Sequence, residues 1–398
     1  MQSATPATVV AFRDYIETLS AEPMAGVIHR QTRMFDSIAA PFADSLVLAG
    51  AGPLGRFTLA RLRLKGIEPL AFADNNPRLW HSVIDGVSVL SPAGAVGRFG
   101  DHACFVVTIY NGRTVRRQLH DLGASRISPF AALFWKYPDV FVPESCLDLP
   151  HRILEQVQDI RRGFQVLADD RSRQELHEQI RWRFTLDYSS LSPPADPAEI
   201  YFPGDLIAPV ESEVFVDCGA FNGDSVRAFL QARAGRFTRI FALEPDAQNR
   251  AELAQFTSSI PDAISSRICV LPYAVSDHNG TLRFSATHTA GSKISDTGVV
   301  EVECRSLDDL FPDQAPTFIK MDIEGAEPEA IKGAARILRE SSPVLAVCVY
   351  HRSEHLWQIP LLIHEINPDY RIFLRRYADE CWELVCYVVP PHRLVHPL

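Results

Sequence analysis

VFVDCGAFNGDS, residues 214–225, decides the reading of the fold. An apolar run ends in Asp217, Gly219 and Gly223 turn the chain, and Asp224-Ser225 opens a helical pattern. Glycines in such a turn let a ligand approach the backbone without meeting a Cβ. The same order of strand, glycine turn and helix also describes a plain βα connection, so this stretch alone is an even choice between the two. The next apolar run separates them. IFALEPD (240–246) places Glu244 at a strand end, about 20 residues past the loop. An acid at that distance commonly bonds both hydroxyls of a ribose, because one carboxylate accepts two such bonds.

Further strands are expected in RICVLPYAV (267–275), TFIKMDI (317–323) and SPVLAVCVY (342–350). DYRIFLRRY (369–377) and WELVCYVV (382–389) then form a terminal hairpin. Parallel strands closed by an antiparallel hairpin are the layout of a class I methyltransferase. In an adenosylmethionine site of that kind the cofactor's amino-acid end lies against the glycine loop, here Gly219, Ala220, Phe221, Asn222 and Gly223. Asp217 answers its ammonium, directly or through water. Glu244, with Pro245 and Asp246, faces the ribose, and the backbone of Ala274 and Val275 edges the adenine. Asp322 and Glu324 follow one strand end and His351 the next, where α/β sheets bind ligands. These three are the candidates for the acceptor side and for a general base. Which of them is the base stays open. Asp322 with Glu324 offers oxygen ligands for Mg²⁺, while HRSEH (351–355) is not the HExxH zinc motif and no third ligand is evident. Carboxylates of a cofactor pocket are the preferred reading, so no required metal is expected.

Upstream, LVLAGAGPLG (46–55) supplies a second glycine fingerprint at Gly50, Gly52 and Gly55, with Asp74 ending the following strand. Strands expected near 69–73, 87–90 and 104–110 alternate with helices, which argues a second Rossmann-like α/β layer. Glycines of this kind also serve helix–strand packing, so the expected ligand is a nucleotide, a nucleotide sugar or nothing. Residues 8–40 and 150–190 read as helical, with Ser172 and Glu175 in the spacing of a capping box. The organisation expected is a helical segment (1–42), a Rossmann-like nucleotide-binding-type domain (43–140), a helical linker (141–198) and a methyltransferase-type domain (199–398).

Composition bounds the function. The chain has 398 residues, 46% apolar and 22% charged, with a net charge of −10. That excludes a disordered chain and argues against a general nucleic-acid binder. The eight cysteines are scattered without a CxxC pair, as in a reducing compartment. The opening residues lack the pattern of a signal peptide, and no apolar run reaches the ~18 residues of a membrane span. A cytoplasmic protein is expected, of open oligomeric state.

Residues 199–390 resemble the FkbM family of methyltransferases. The matching pieces are YFPGD (201–205), VFVDCGAFNGDS, LEPD (243–246), YAVSD (273–277), SLDDL (306–310), FIKMDIEGAE (318–327), VCVYHRSEHLWQIP (347–360) and DYRIFLRRY, in the family's order. The resemblance implies methyl transfer from S-adenosylmethionine, typically to a hydroxyl of a sugar, glycoconjugate or secondary metabolite. The N-terminal stretch is similar to the nucleotide-sugar-binding domains ahead of some sugar-modifying transferases. Two other readings stand beside this one. One is a nicotinamide-dependent oxidoreductase or nucleotide-sugar enzyme using the N-terminal fingerprint. The other is a methyltransferase-like binding module without catalysis.

Overall fold

Apolar runs of four or five residues, flanked by glycine and proline turns, become fully buried parallel strands in both halves of the chain. The structure is a computed structural model and describes residues 7–285, 293–294, 298 and 300–396. It divides into two units, one of Met1–Val157, His177–Pro193 and Ala378–Trp382, the other of Gln158–Leu176, Pro194–Tyr377 and Glu383–Leu398. Among the described residues no helix is long and apolar enough to cross a membrane.

The first unit opens with helices Ala7–Ala21 and Met24–Ala39. Its sheet contains β1 (Leu46–Ala49), β2 (Ala71–Ala73), β3 (Val83–Ile84), β4 (Val87–Leu90), β5 (Cys104–Val107) and β6 (Arg126–Pro129). The strand order is β3-β4-β2-β1-β5-β6, parallel except where β3 meets β4. Order reverses between β1 and β5, so their carboxyl ends flank the crevice in which such sheets take ligands.

The second unit holds β7 (Val214–Cys218), β8 (Arg239–Leu243), β9 (Ile268–Leu271), β10 (Ala274–Val275), β11 (Gly280–Ser285), β12 (Lys293–Ile294), β13 (Val300–Arg305), β14 (Phe318–Met321), β15 (Val344–Cys348), β16 (Arg371–Arg376) and β17 (Leu384–Val389). Seven of them form one sheet in the order β16-β17-β15-β14-β7-β8-β9. Five strands run parallel, and β17 enters antiparallel between β15 and β16, as the terminal hairpin required. Phe215 of β7 stacks on Phe229, 4.5 Å between centroids, and Phe202 and Phe318 meet the pair edge-on or tilted. Each such side chain contributes about 1.5–3 kcal/mol on burial, which fixes β7 and β14 under the site. At the other end of β7, Glu213 is fully buried between Arg233 and Arg393, its carboxylate 3.0 Å from Arg393 Nη2.

Two expectations need correction. RICVLPYAV is not one strand. Pro272 lacks the N–H that a ladder needs, so β9 stops at Leu271 and β10 pairs instead with β13 in a separate four-stranded sheet. Ser172 and Glu175 do not form a capping box. Helix Asp170–Thr185 starts earlier, and Asp169 accepts the Ser172 N–H at 2.8 Å as its cap. Ser172 Oγ instead accepts Leu374 N at 2.9 Å, and Glu175 pairs with Arg376.

Candidate active site

The glycine loop leaves the carboxyl end of β7 under tight steric control. Gly219 sits at φ +81°, and a Cβ there would stand 2.1 Å from the carbonyl oxygen of Asp322. Only glycine lets the ends of β7 and β14 approach so closely. Gly219 N and Ala220 N both donate to Leu243 O at 3.0 Å, which pins the loop to β8. Phe221, at φ +46°, donates its N–H to Glu244 Oε2 at 2.8 Å. Asp246 N donates to the other oxygen, Oε1, also at 2.8 Å. Glu244 is thus held across the loop at the end of β8. It is 4% exposed, and burial pushes its carboxyl up to about 7 although the two N–H bonds oppose that rise. Asp246 caps helix Ala247–Ser259 through Gln248 N and Asn249 N. Pro245 links the two acids.

Asp217 is fully buried. Ser225 Oγ donates to its Oδ2, and Lys320 Nζ lies 3.1 Å from Oδ1. Lys320 also donates to Gly219 O at 2.8 Å, so one ammonium ties the strand acid to the loop. Burial works against that charge, but Asp217 and Asp322 outweigh it and hold Lys320 protonated. Lys320 was missed in the sequence reading. Its signal was a lone cation in an otherwise apolar strand, TFIKMDI.

A second group of side chains gathers where β14 and β15 end. Asp322 Oδ1 lies 3.2 Å and Glu324 Oε1 3.8 Å from His351 Nε2. His351 Nδ1 is 2.8 Å from Glu327 Oε1, and His355 Nδ1 is 3.3 Å from Glu327 Oε2. Glu327 is fully buried and also accepts Ile323 N at 3.0 Å, which closes the DIEGAE turn. Tyr201 Oη donates to Asp322 Oδ2 at 2.9 Å. Burial would raise the Asp322 carboxyl, but His351, Lys320 and the Tyr201 hydroxyl hold it well below the carboxylate range. The same carboxylates, Glu327 foremost, overcome burial and keep His351 protonated well above its ordinary value. Burial and the charge of Asp322 push Glu383 up to about 7. The structure therefore brings Asp322, Glu324 and His351 together, as their strand-end positions suggested. Glu327 joins them from just behind the same strand end, and Tyr201 and Glu383 from positions that no spacing rule marks. Ala274 and Val275 are buried, with their backbone paired to Cys304 and Arg305.

The loop residues fit a cofactor with ribose and amino-acid ends. Asn222 Oδ1 is buried without a hydrogen-bond partner among the described residues. Each Glu244 oxygen accepts one backbone N–H and has a further lone pair to offer.

In the first unit the fingerprint adopts the same device. Ala51 N donates to Asp74 Oδ2 at 2.8 Å and Asn76 N to Oδ1 at 2.7 Å. Gly50 and Asp74 line a small cavity of about 80 Å³ with Asn75, Pro92 and Ile109. Gly55 is required by packing, since a Cβ would stand 1.9 Å from Gly50 O. A Cβ on Gly52 would meet nothing within 4 Å.

The chain is similar to known proteins over part or nearly all of its length. The Methyltransferase FkbM domain family matches residues 217–381. The crystal structure of a methyltransferase FkbM from Methylobacillus flagellatus KT is 26% identical, covers 96% of this chain and 99% of that one, and has a TM-score of 0.72. A putative rRNA methylase from Clostridium thermocellum is 9% identical over 48% of this chain and 91% of that one, with a TM-score of 0.31. A putative methyltransferase from Streptococcus mutans in complex with SAH is 10% identical over 46% and 90%, with a TM-score of 0.29. No curated protein matches the chain. Residues 217–381 thus match the FkbM methyltransferase domain family, and the fold of the chain is similar to that of an FkbM methyltransferase.

Proposed function

We propose that the chain transfers a methyl group from S-adenosylmethionine to a hydroxyl of a sugar, glycoconjugate or secondary metabolite. The observation that carries this reading is the buried Glu244 carboxylate held across the glycine loop by Phe221 N and Asp246 N. When bound, the cofactor supplies a methyl group on a cationic sulfur, which keeps the electron pair of the broken carbon–sulfur bond. Glu244 takes the ribose hydroxyls. The loop from Gly219 to Gly223, backed by Asp217, takes the amino-acid end, and Ala274 and Val275 border the adenine. Asp322, Glu324 and His351 form the acceptor side. Asp322 stays ionised and accepts a hydrogen bond from the acceptor hydroxyl, which orients it. His351, clamped by Glu327, keeps that carboxylate in place. The eight free thiols suit a reducing compartment, so the protein is assigned to the cytoplasm.

Calorimetry on the full chain with S-adenosylmethionine and S-adenosylhomocysteine tests the reading. Binding of both, weakened in Glu244→Ala and in Asp217→Ala, supports it. A folded chain that binds neither ends it. The Asp74 arrangement favours a second, nucleotide-binding role for the first unit. Titration with NAD and nucleotide sugars, repeated on Gly52→Val, decides that role independently. Gly52 has open space around it, so the variant folds and only a bound ligand would notice the added side chain.

A further inference from the structure

We propose that Asp322, Glu324 and His351 form a binding site for one divalent cation of the Mg²⁺ or Mn²⁺ class. One ligand atom from each lies within 4.8 Å of the other two, close enough for a single ion to touch all three. The histidine is the observation that separates this group from an ordinary acidic cluster. Its side chain is 4% exposed, and Nε2 has no hydrogen-bond partner among the described residues. Nε2 stands 3.2 Å from Asp322 and 3.8 Å from Glu324 without being aligned on either. A buried nitrogen within ion-pair distance of two carboxylates, yet in hydrogen-bond alignment with neither, is placed for an ion that all three share.

The surroundings agree. Glu327 receives Nδ1 at 2.8 Å, which orients the ring and leaves Nε2 to the site. A carboxylate behind a histidine is the usual support of a metal-binding imidazole. Tyr201 holds the second oxygen of Asp322. Charge points the same way. Asp322, Glu324 and Glu327 bring three carboxylates, while the nearby cation Lys320 is 3.1 Å from Asp217. Two carboxylate oxygens and one imidazole leave several coordination positions for water or for ligand oxygens, and they favour hard cations over thiophilic ones. Binding of the cation is independent of methyl transfer. Its role, holding an acceptor oxygen beside Asp322, rests on the methyl-transfer reading.

The test uses the full chain with Mn²⁺ as the probe. Electron paramagnetic resonance should show one bound ion per chain, displaced by excess Mg²⁺. Spin-echo modulation should carry a nitrogen coupling that disappears in His351→Ala. Glu324→Gln, on a partly exposed side chain that packing tolerates, should weaken binding roughly tenfold or more. No Mn²⁺ retained at millimolar concentration overturns the site. So does binding that is equal in wild type, Glu324→Gln and His351→Ala. Calorimetry with S-adenosylmethionine on the same samples keeps the two conclusions separate. Cofactor binding without Mn²⁺ removes the metal site alone, and Mn²⁺ binding without cofactor binding removes the methyl-transfer reading alone.

Discussion

Affinity for S-adenosylmethionine should depend on pH through Glu244. Ribose hydroxyls donate hydrogen bonds, so they need the carboxylate ionised. Burial has raised that carboxyl to about 7 in the free chain. A ligand that binds only the ionised form has its apparent Kd multiplied by one plus the ratio of protonated to ionised enzyme. That factor is about 1.1 at pH 8 and about 11 at pH 6. Affinity should therefore fall about tenfold between them, or about 1.4 kcal/mol. Stability of the free chain should move in the opposite sense. A carboxyl raised from 4.5 to about 7 is more easily protonated in the folded chain than in the unfolded one. Its contribution is thus fully present below 4.5 and is lost as pH rises through 7, roughly 3 kcal/mol in all. Calorimetry and urea unfolding across pH 5.5–8.5 read the two slopes, and Glu244→Gln is the control. The amide leaves one of Phe221 N and Asp246 N poorly paired, at a cost of about 1–3 kcal/mol that does not vary with pH. It should therefore lower stability throughout while flattening the affinity profile. Wild-type affinity that is flat across this range, or a variant with the wild-type slope, refutes the reasoning.

Other outcomes follow from the same geometry. Glu213→Ala leaves Arg233 and Arg393 buried without their shared carboxylate. Unfolding in urea should show a loss of about 3–5 kcal/mol. Gly219→Ala must place a Cβ at 2.1 Å from Asp322 O at φ +81°, so it should lose more than about 2 kcal/mol and its cofactor binding. Asp322→Asn should retain S-adenosylmethionine in calorimetry and lose methyl transfer in a radiolabel assay. An equal loss of both would move Asp322 to the cofactor side.

The large sheet was legible because its strands are continuous apolar runs with acids at their ends. The four-stranded sheet was not. VEVECR (300–305) does alternate as a half-buried strand should, with Val302 and Cys304 buried, but its partners β10 and β11 come from a run broken by Pro272 and from a segment without an apolar run. The helix start at Asp169 was hidden for a different reason. Serine and aspartate both cap helices, and Ser172 offered the spacing of a capping box three residues too late. In the site, the strand-end residues Asp322 and His351 could be located by rule. Glu327 follows the same strand end, but its pairing could not be read, because its partners lie 24 and 28 positions away and meet it only once β14 and β15 pair. Tyr201 reaches Asp322 across 121 positions, from a segment that carries no regular pattern. Contacts of that separation are properties of the sheet order, and local periodicity has no access to them.

In both glycine loops the same hydrogen bonds serve the turn and prepare an acid for a ligand. In both units an acid at the end of the second strand accepts a loop N–H 23 positions earlier and the N–H two positions later. Those bonds stabilise the turn whether or not a ligand binds. They also fix the carboxylate plane and engage one lone pair on each oxygen, leaving a second on each. Two acceptors at a fixed separation match a vicinal diol, and their orientation has already been set during folding. The structural use is thus what prepares the binding use. What distinguishes the loops is the surroundings of the acid. Glu244 is buried and must lose a proton near neutrality before it can accept ribose hydroxyls, whereas Asp74 is only partly buried. The equal spacing therefore predicts equal geometry in the two units, while the burial of Glu244 gives only its unit a ribose site that should depend on pH near neutrality.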